Sequence, residues 1–176
     1  MNNFFKHVFF TRPGSIKAPG GLIETHTELL AELFDDKGKK LDERRVKDRV
    51  LTTAFVNDIV DALQGMTNPY AWFDDYKHHW SGTSTEAEAA SDTNLFVGTT
   101  EDRVAGTQTT STSSNIYKSV ATITYDSTHS ITEHGLFNST SSTSGTLMDR
   151  TKFTALNVLN GYSIQFTFTV EFTAGG

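Results

Sequence analysis

In residues 162–173, YSIQFTFTVEFT, Ile164, Phe166, Phe168, Val170 and Phe172 alternate with Ser163, Gln165, Thr167, Thr169 and Glu171. A period of two places the apolar side chains on one face of a β-strand and the polar ones on the other. A helix would send residues two apart to different sides, so this run is a strand. Five large apolar side chains on one face need a covering layer, and the rest of the chain must supply it.

The remaining segments read mostly as β-structure. Residues 22–52 read as a hairpin. Thr25, Thr27, Leu29, Ala31 and Leu33 share a face, Asp35, Asp36, Lys37 and Gly38 carry turn chemistry, and LDERRVKDRVLT returns. A charged helix over residues 42–50 is the alternative for the return. The acidic turn lacks the alternating ligands and distal Glu of a calcium loop. Residues 53–64 predict a helix, with Ala54, Phe55, Ile59, Ala62 and Leu63 at helical spacing, Thr52 or Thr53 as cap and Gly65 as stop. Residues 84–90, STEAEAA, predict a short helical turn with a Thr85–Glu88 capping box. Strands are expected at 115–125, 130–137 and 146–153. Two Ser/Thr tracts, 107–114 and 139–146, read as exposed hairpin tips.

The expected fold is therefore mainly β: an antiparallel β-sandwich, jelly-roll-like, with a small barrel as the other closure. It carries one α-helix in its N-terminal half and an extended N-terminal arm over residues 1–21. Residues 22–176 form one domain: hairpin 22–52, helix 53–64 and β-rich body 70–176. The arm holds Phe4, Phe5, Val8, Phe9 and Phe10 ahead of the Pro- and Gly-rich RPGSIKAPGG. Exposed Phe is costly, so the arm is expected to dock, on its own body or on a neighbour. Phe4, Phe5, Phe9 and Phe10 are accordingly interface candidates. A second aromatic concentration, YAWFDDYKHHWSG at 70–82, has three readings: core strand, subunit interface, or a platform that stacks sugars. Trp72, Tyr76 and Trp80 join the interface candidates on the second of these.

Composition narrows the partners. With no cysteine there is no disulfide framework and no thiolate metal site. Met1 is followed by NNFFKHVFF, which lacks the basic start and sustained apolar core of a secretory signal, and no run of apolar residues is long enough to span a bilayer. No membrane partner is expected. Residues 1–50 carry a net charge of +2 and residues 51–176 a net of −8, so the body is acidic and no nucleic-acid partner is expected. The opposite signs suit contact between the two parts of neighbouring copies.

Catalytic and metal patterns fail on spacing. His129, Glu133 and His134 form H-x-x-x-E-H, which is not a zinc-protease spacing, and on a strand Glu133 and His134 face opposite sides. His78 and His79 also split across two faces. A G-x-S-x-G elbow is absent, and residues 98–106 have no Lys-Ser/Thr behind them to make a phosphate loop. Asp74/Asp75 and Glu101/Asp102 are adjacent in sequence rather than set across a cleft. No catalytic, cofactor-binding or metal-ligating residue is assigned, no cofactor is expected, and the chain reads as a non-enzyme. Asn138-Ser139-Thr140 matches a glycosylation acceptor, which carries little without a secretory signal.

The order of segments KHHWSGTSTEAEAASDTNL, RVAGTQT, NIYKSVATITY, ITEHGLFNSTSSTSGTLMDRTKF and LNVLNGYSIQFTFTVEFTAGG resembles a family of tailed-bacteriophage virion structural proteins. VLTTAFVNDIVDAL is similar to that family's upstream element, so the resemblance runs from about residue 50 to 176. Its most specific part is EHGLFN…SGTLMDR followed by G-x-S-I-Q-F. The resemblance implies a non-enzymatic virion component, located in the particle after assembly in the host cytoplasm. Its implied partners are other copies of itself and the major capsid or tail proteins, and it is expected to be a homo-oligomer. A capsid decoration or head-exterior protein is the leading expectation, with a neck, tail or baseplate component as the alternative. A carbohydrate-binding module using Trp72, Tyr76 and Trp80 is the alternative of another class. Within ITEHGLF, Gly135 implies a bulge or a close backbone approach, and Glu133 or His134 is expected to pair with Arg150 across the sheet.

Overall fold

The structure is a computed structural model and describes residues 22–64, 75–109 and 113–175. In chain order its elements are β1 (Leu22–Phe34), β2 (Lys40–Lys47), α1 (Thr53–Leu63), β3 (His78–Gly82), β4 (Val104–Ala105), β5 (Thr107–Thr109), β6 (Ile116–Thr124), β7 (His129–Phe137), β8 (Leu147–Val158) and β9 (Ser163–Gly175). They form two antiparallel sheets, ordered β2-β1-β9-β6-β5 and β4-β3-β7-β8. This is the antiparallel sandwich that the alternation predicts, with one helix before the body. The arm candidates Phe4, Phe5, Phe9 and Phe10 lie outside the described residues, as does Trp72.

The alternating strand, β9, is the middle of its sheet. It pairs with β1 along its whole length and with β6 from Ser163 to Glu171. Ile164, Phe166, Phe168 and Val170 are buried against the second sheet, together with Leu29, Ala31 and Leu33 of β1 and Ala121 and Ile123 of β6. The β1–β2 turn uses Gly38 at a positive φ of 79°, and the Asp35 carboxylate accepts from the backbone N–H groups of Lys37 and Lys39 at 2.9 and 2.8 Å. The return is a strand rather than a helix. Cross-strand charges decide this, because Lys40 meets Glu32, and Arg45 and Lys47 both meet Glu28.

Helix α1 starts at Thr52, whose hydroxyl accepts from Phe55 N–H at 3.2 Å. Phe55 turns inward and meets Tyr76 edge to face, with ring centres 5.0 Å apart.

β7 does not alternate, and every residue from Ile131 to Phe137 is buried. Both faces of this sheet are covered: the inner one by the five-stranded sheet, the outer one by the connection through residues 83–103. Trp80, Leu95, Phe137 and Leu147 form a second apolar cluster under that connection. The helical turn expected at 84–90 is not formed. The Glu88 carboxylate, which the capping box requires, instead accepts from the Lys152 backbone N–H, and the carbonyls of Glu86 and Ala87 accept from Arg150. These long-range partners take the groups that a helical turn would use.

The outer edge of β8 is also covered. Arg44 of β2 donates to the carbonyls of Thr154 and Ala155 at 3.0 and 3.1 Å, and Thr52 N–H donates to Met148 O at 2.9 Å. Leu51 adds a bridge to Asp149. These contacts occupy several backbone groups along a twelve-residue edge strand that would otherwise be open to pairing.

Candidate functional site

The four-stranded sheet carries polar groups on both faces, and these are the chemically distinctive part of the molecule. Glu133 and Gly135 face outward on β7, Arg150 faces outward on β8, and Gly135 pairs directly with Arg150. Arg150 Nε donates to Glu133 Oε2 at 2.7 Å, and both residues are almost fully buried, at 2 and 0 % exposure. The other guanidinium nitrogens donate to Asp92 Oδ2 at 3.0 Å and to the carbonyls of Ala87 and Glu86, both at 3.1 Å. Glu133 Oε1 accepts from the backbone N–H groups of Ser84 at 3.3 Å and Val97 at 3.2 Å. The ion pair therefore fastens the covering connection to the sheet. Gly82 makes room for the Glu133 carboxylate, and Gly135 for the apolar cluster beside the pair. A Cβ at Gly135 would lie 2.7 Å from the Phe137 ring and 2.9 Å from Leu95 Cδ2. Of the two residues expected to meet Arg150, Glu133 does so and His134 faces the other way.

Arg103 performs a similar task at the other end of the connection. Its guanidinium lies 3.4 Å over the Phe137 ring centre and 5.1 Å from that of Trp80. It donates to the carbonyls of Ser139 and Ser144 at 3.1 and 2.8 Å, which fixes the Ser/Thr-rich turn of 139–146. Burial pushes its pKa down to about 10.

On the inner face, His134 of β7 meets His79 of β3. His134 Nε2 and His79 Nδ1 are 2.9 Å apart, and His79 Nε2 lies 2.8 Å from Ser119 Oγ on β6, in the opposite sheet. The His134 ring also lies against Phe166 at 4.6 Å between centres. All three polar residues have no solvent exposure. Burial holds His134 well below the usual imidazole pKa and pushes His79 down to about 3, so both rings are neutral. Asp149 of β8 is buried nearby on the same face and accepts from Thr151 Oγ1 at 2.5 Å. Desolvation pushes its pKa up to about 7.

A serine hydrogen-bonded to a histidine that is oriented by a second histidine has the connectivity of a nucleophile, a base and an orienting group. In this fold the serine sits in mid-strand between two sheets, where no substrate carbonyl can reach it. What the arrangement does in place is tie β3 and β7 to β6. A surface hollow of about 630 Å³ is lined by Arg49, Thr85, Ala87, Glu88, Lys152, Phe153 and Thr154 and touches none of the three. Among the described residues no group of three or more His, Asp or Glu is placed to hold a metal ion. His129 is apart from His134, with its Nε2 at 2.9 Å from Ser127 Oγ and 3.5 Å from Glu101.

Tyr76 and Trp80 require correction as interface or stacking residues. Tyr76 is 1 % exposed and its hydroxyl donates to Asp58, while Trp80 is 9 % exposed and donates through Nε1 to Glu101 O at 2.9 Å. The backbone of Gly98 closes over the indole ring, leaving no space for a Cβ there. Both aromatic faces are used inside the chain, as in the core-strand reading of that segment.

Sequence reasoning passed over His79, Ser119, Arg103 and Asp149. Ser119 had a visible signal: it shares a face with Tyr117, Ala121 and Ile123 of β6 and with Tyr125 just beyond its end, a lone small polar residue on an apolar face. His79 had half of one, since alternation puts it opposite Trp80. Arg103 had none, because its partners are carbonyls of a loop 36 to 41 residues away.

No protein-family model matches this chain, and searches of curated proteins and of solved structures give no significant match.

Proposed function

We propose that this chain is a non-enzymatic structural protein of a tailed-phage virion, an oligomeric decoration or auxiliary protein that stabilises the head. The observation that carries the reading is where its most specific motif falls in the fold. In EHGLFN…SGTLMDR, Glu133, His134, Gly135 and Arg150 are interior framework residues that fasten the covering connection and the two sheets. A motif of that kind specifies a scaffold and leaves the surface free to vary with its partner. The covered edge of β8 agrees with a protein that meets other copies through chosen surfaces rather than open strand edges. Neither Tyr76 nor Trp80 is available to a sugar, which leaves the carbohydrate-binding alternative with only Trp72 of its three residues.

The test is to locate the chain in particles of the phage that encodes it, by protein mass spectrometry and image reconstruction. Copies at capsid three-folds or hexamer centres are expected. A six- or twelve-fold ring at the neck or tail would move the protein there, and absence from purified particles would overturn the reading.

A further inference from the structure

The chain of hydrogen bonds from His134 through His79 to Ser119 has only one comfortable arrangement of protons. Each neutral imidazole has one N–H and one bare nitrogen. His134 Nδ1 is buried and has no hydrogen-bond partner among the described residues. If His79 donated to His134, the His134 proton would sit on that Nδ1, as a buried N–H with no acceptor. If His134 Nε2 donates to His79 Nδ1, the orphan is a bare nitrogen, which is the less costly of the two. His79 then carries its proton on Nε2 and donates to Ser119 Oγ. Both rings are Nε2–H tautomers, and the donors run in one direction from β7 to β3 to β6.

This arrangement has no place for another proton. Added to His79 Nδ1, it would face the N–H of His134. Added to His134 Nδ1, it would create a buried cation with no acceptor. We propose that His134, His79 and Ser119 form an acid-released latch between the two sheets, closed while both imidazoles are neutral and opened when either is protonated. The inference is independent of the role proposed above.

The groups around the latch do not rescue a charged imidazole. His78, beside it on β3, is itself held below the usual range, chiefly by burial. β6 contributes Tyr117 and, just beyond its end, Tyr125, whose hydroxyls burial keeps protonated. β9 contributes only the apolar row from Ile164 to Val170. On β8, Thr151 lies opposite His134, and Asp149 beyond it is held mostly protonated by burial over the acid range, below about pH 7. Glu133 is turned to the outer face and committed to Arg150.

The sign follows from the depressed values. The two histidines contribute stability that is complete above about pH 6.5, their unfolded value, and is lost as pH falls toward their folded values. Asp149 works in the opposite sense: its contribution is complete below 3.8 and is lost as pH rises through about 7. The latch is therefore read as a difference between proteins that share Asp149.

Chemical unfolding of the full chain is measured from pH 7.5 to 5, with the His79→Gln/His134→Gln variant alongside. Below pH 6.5 the wild-type unfolding equilibrium is expected to rise more steeply than that of the variant, by a margin approaching two protons, or about a hundredfold per pH unit. Parallel slopes would overturn the proposal. Two measurements on the wild type cover a variant that does not fold. Long-range imidazole nitrogen NMR at pH 6 is expected to show both rings neutral and Nε2–H, and a charged ring in the folded protein would refute the latch. Hydrogen exchange, corrected for intrinsic rate, is expected to accelerate in β3, β6 and β7 before β1 and β2 on going from pH 7.5 to 5.5. Uniform acceleration, or none, would also refute it.

Discussion

Arg150 and Glu133 form a 2.7 Å ion pair beneath a loop, on adjacent strands and on the face of the sheet that points away from the sandwich core. A pair so placed is a fastening for the covering layer. Removing one partner leaves the other buried and charged, so Glu133→Gln or Arg150→Met is expected to cost about 3–5 kcal/mol in urea unfolding. The double variant Glu133→Leu/Arg150→Met is expected to recover a large share of that loss, since apolar groups of similar size need no partners. A double variant no better than the worse single one would show that the contacts to Glu86, Ala87 and Asp92, rather than the pair, carry the stability.

Trp80 supports a second prediction. Its indole lies in the outer apolar cluster with Phe137 and Leu95 and beneath Gly98. Trp80→Ala is expected to lower stability by about 3–5 kcal/mol, a cavity cost typical of a buried Trp. Gly98→Ala is expected to cost about 1–3 kcal/mol by overpacking, because the atom that must move belongs to a rigid ring. Both are read by thermal or chemical unfolding. An unchanged midpoint for Trp80→Ala would place the ring at the surface and restore it as an interface candidate.

How far the sequence reached depended on how local the determining contacts are. The alternation in β9, the β1–β2 turn at Gly38 and the capped helix at Thr52 are set by neighbours in sequence, and all were legible. The expected helical turn at 84–90 failed because its carboxylate and carbonyls are taken by Lys152 and Arg150, more than 60 residues away. The outer apolar layer was hidden for the same reason. A strand buried on both faces does not alternate, so ITEHGLF showed a strand without revealing that a loop covers it. The polar seam was half visible: Glu133 and Arg150 stood out as charges in strand segments, while only the strand register placed Asp149 and His79 on the inner face.

Arg44 gives a test of edge protection. Its guanidinium spans from β2 to the carbonyls of Thr154 and Ala155 and is paired with Asp42 at 2.7 Å. Arg44→Ala frees two carbonyls on the long edge of β8. The expected stability loss is about 1 kcal/mol, because the side chain is still partly solvated. The larger effect is expected in association: light scattering at fixed concentration should show faster aggregation than wild type, suppressed again by Thr154→Pro on the exposed edge. A variant that aggregates no faster than wild type would mean that the edge is covered by other means.

Asp149 gives the sharpest dependence on pH. It is a carboxyl sealed between the sheets, with Oδ1 accepting from Thr151 and Oδ2 without a partner. Its folded pKa, up to about 7 through desolvation, exceeds the unfolded value of 3.8. The fold therefore binds its proton more tightly than the unfolded chain does, and stability from this group falls as pH rises from about 4 to 7. Asn at this position keeps an acceptor for Thr151 and cannot ionise. Asp149→Asn is expected to be close to wild type near pH 4 and more stable by about 2–4 kcal/mol at pH 8, the gap opening through the range between. Guanidinium unfolding at the two pH values measures it. A variant less stable than wild type at pH 8 would show that the ionised carboxylate has a partner in solution, and would place a bound cation or a water-filled passage beside β8.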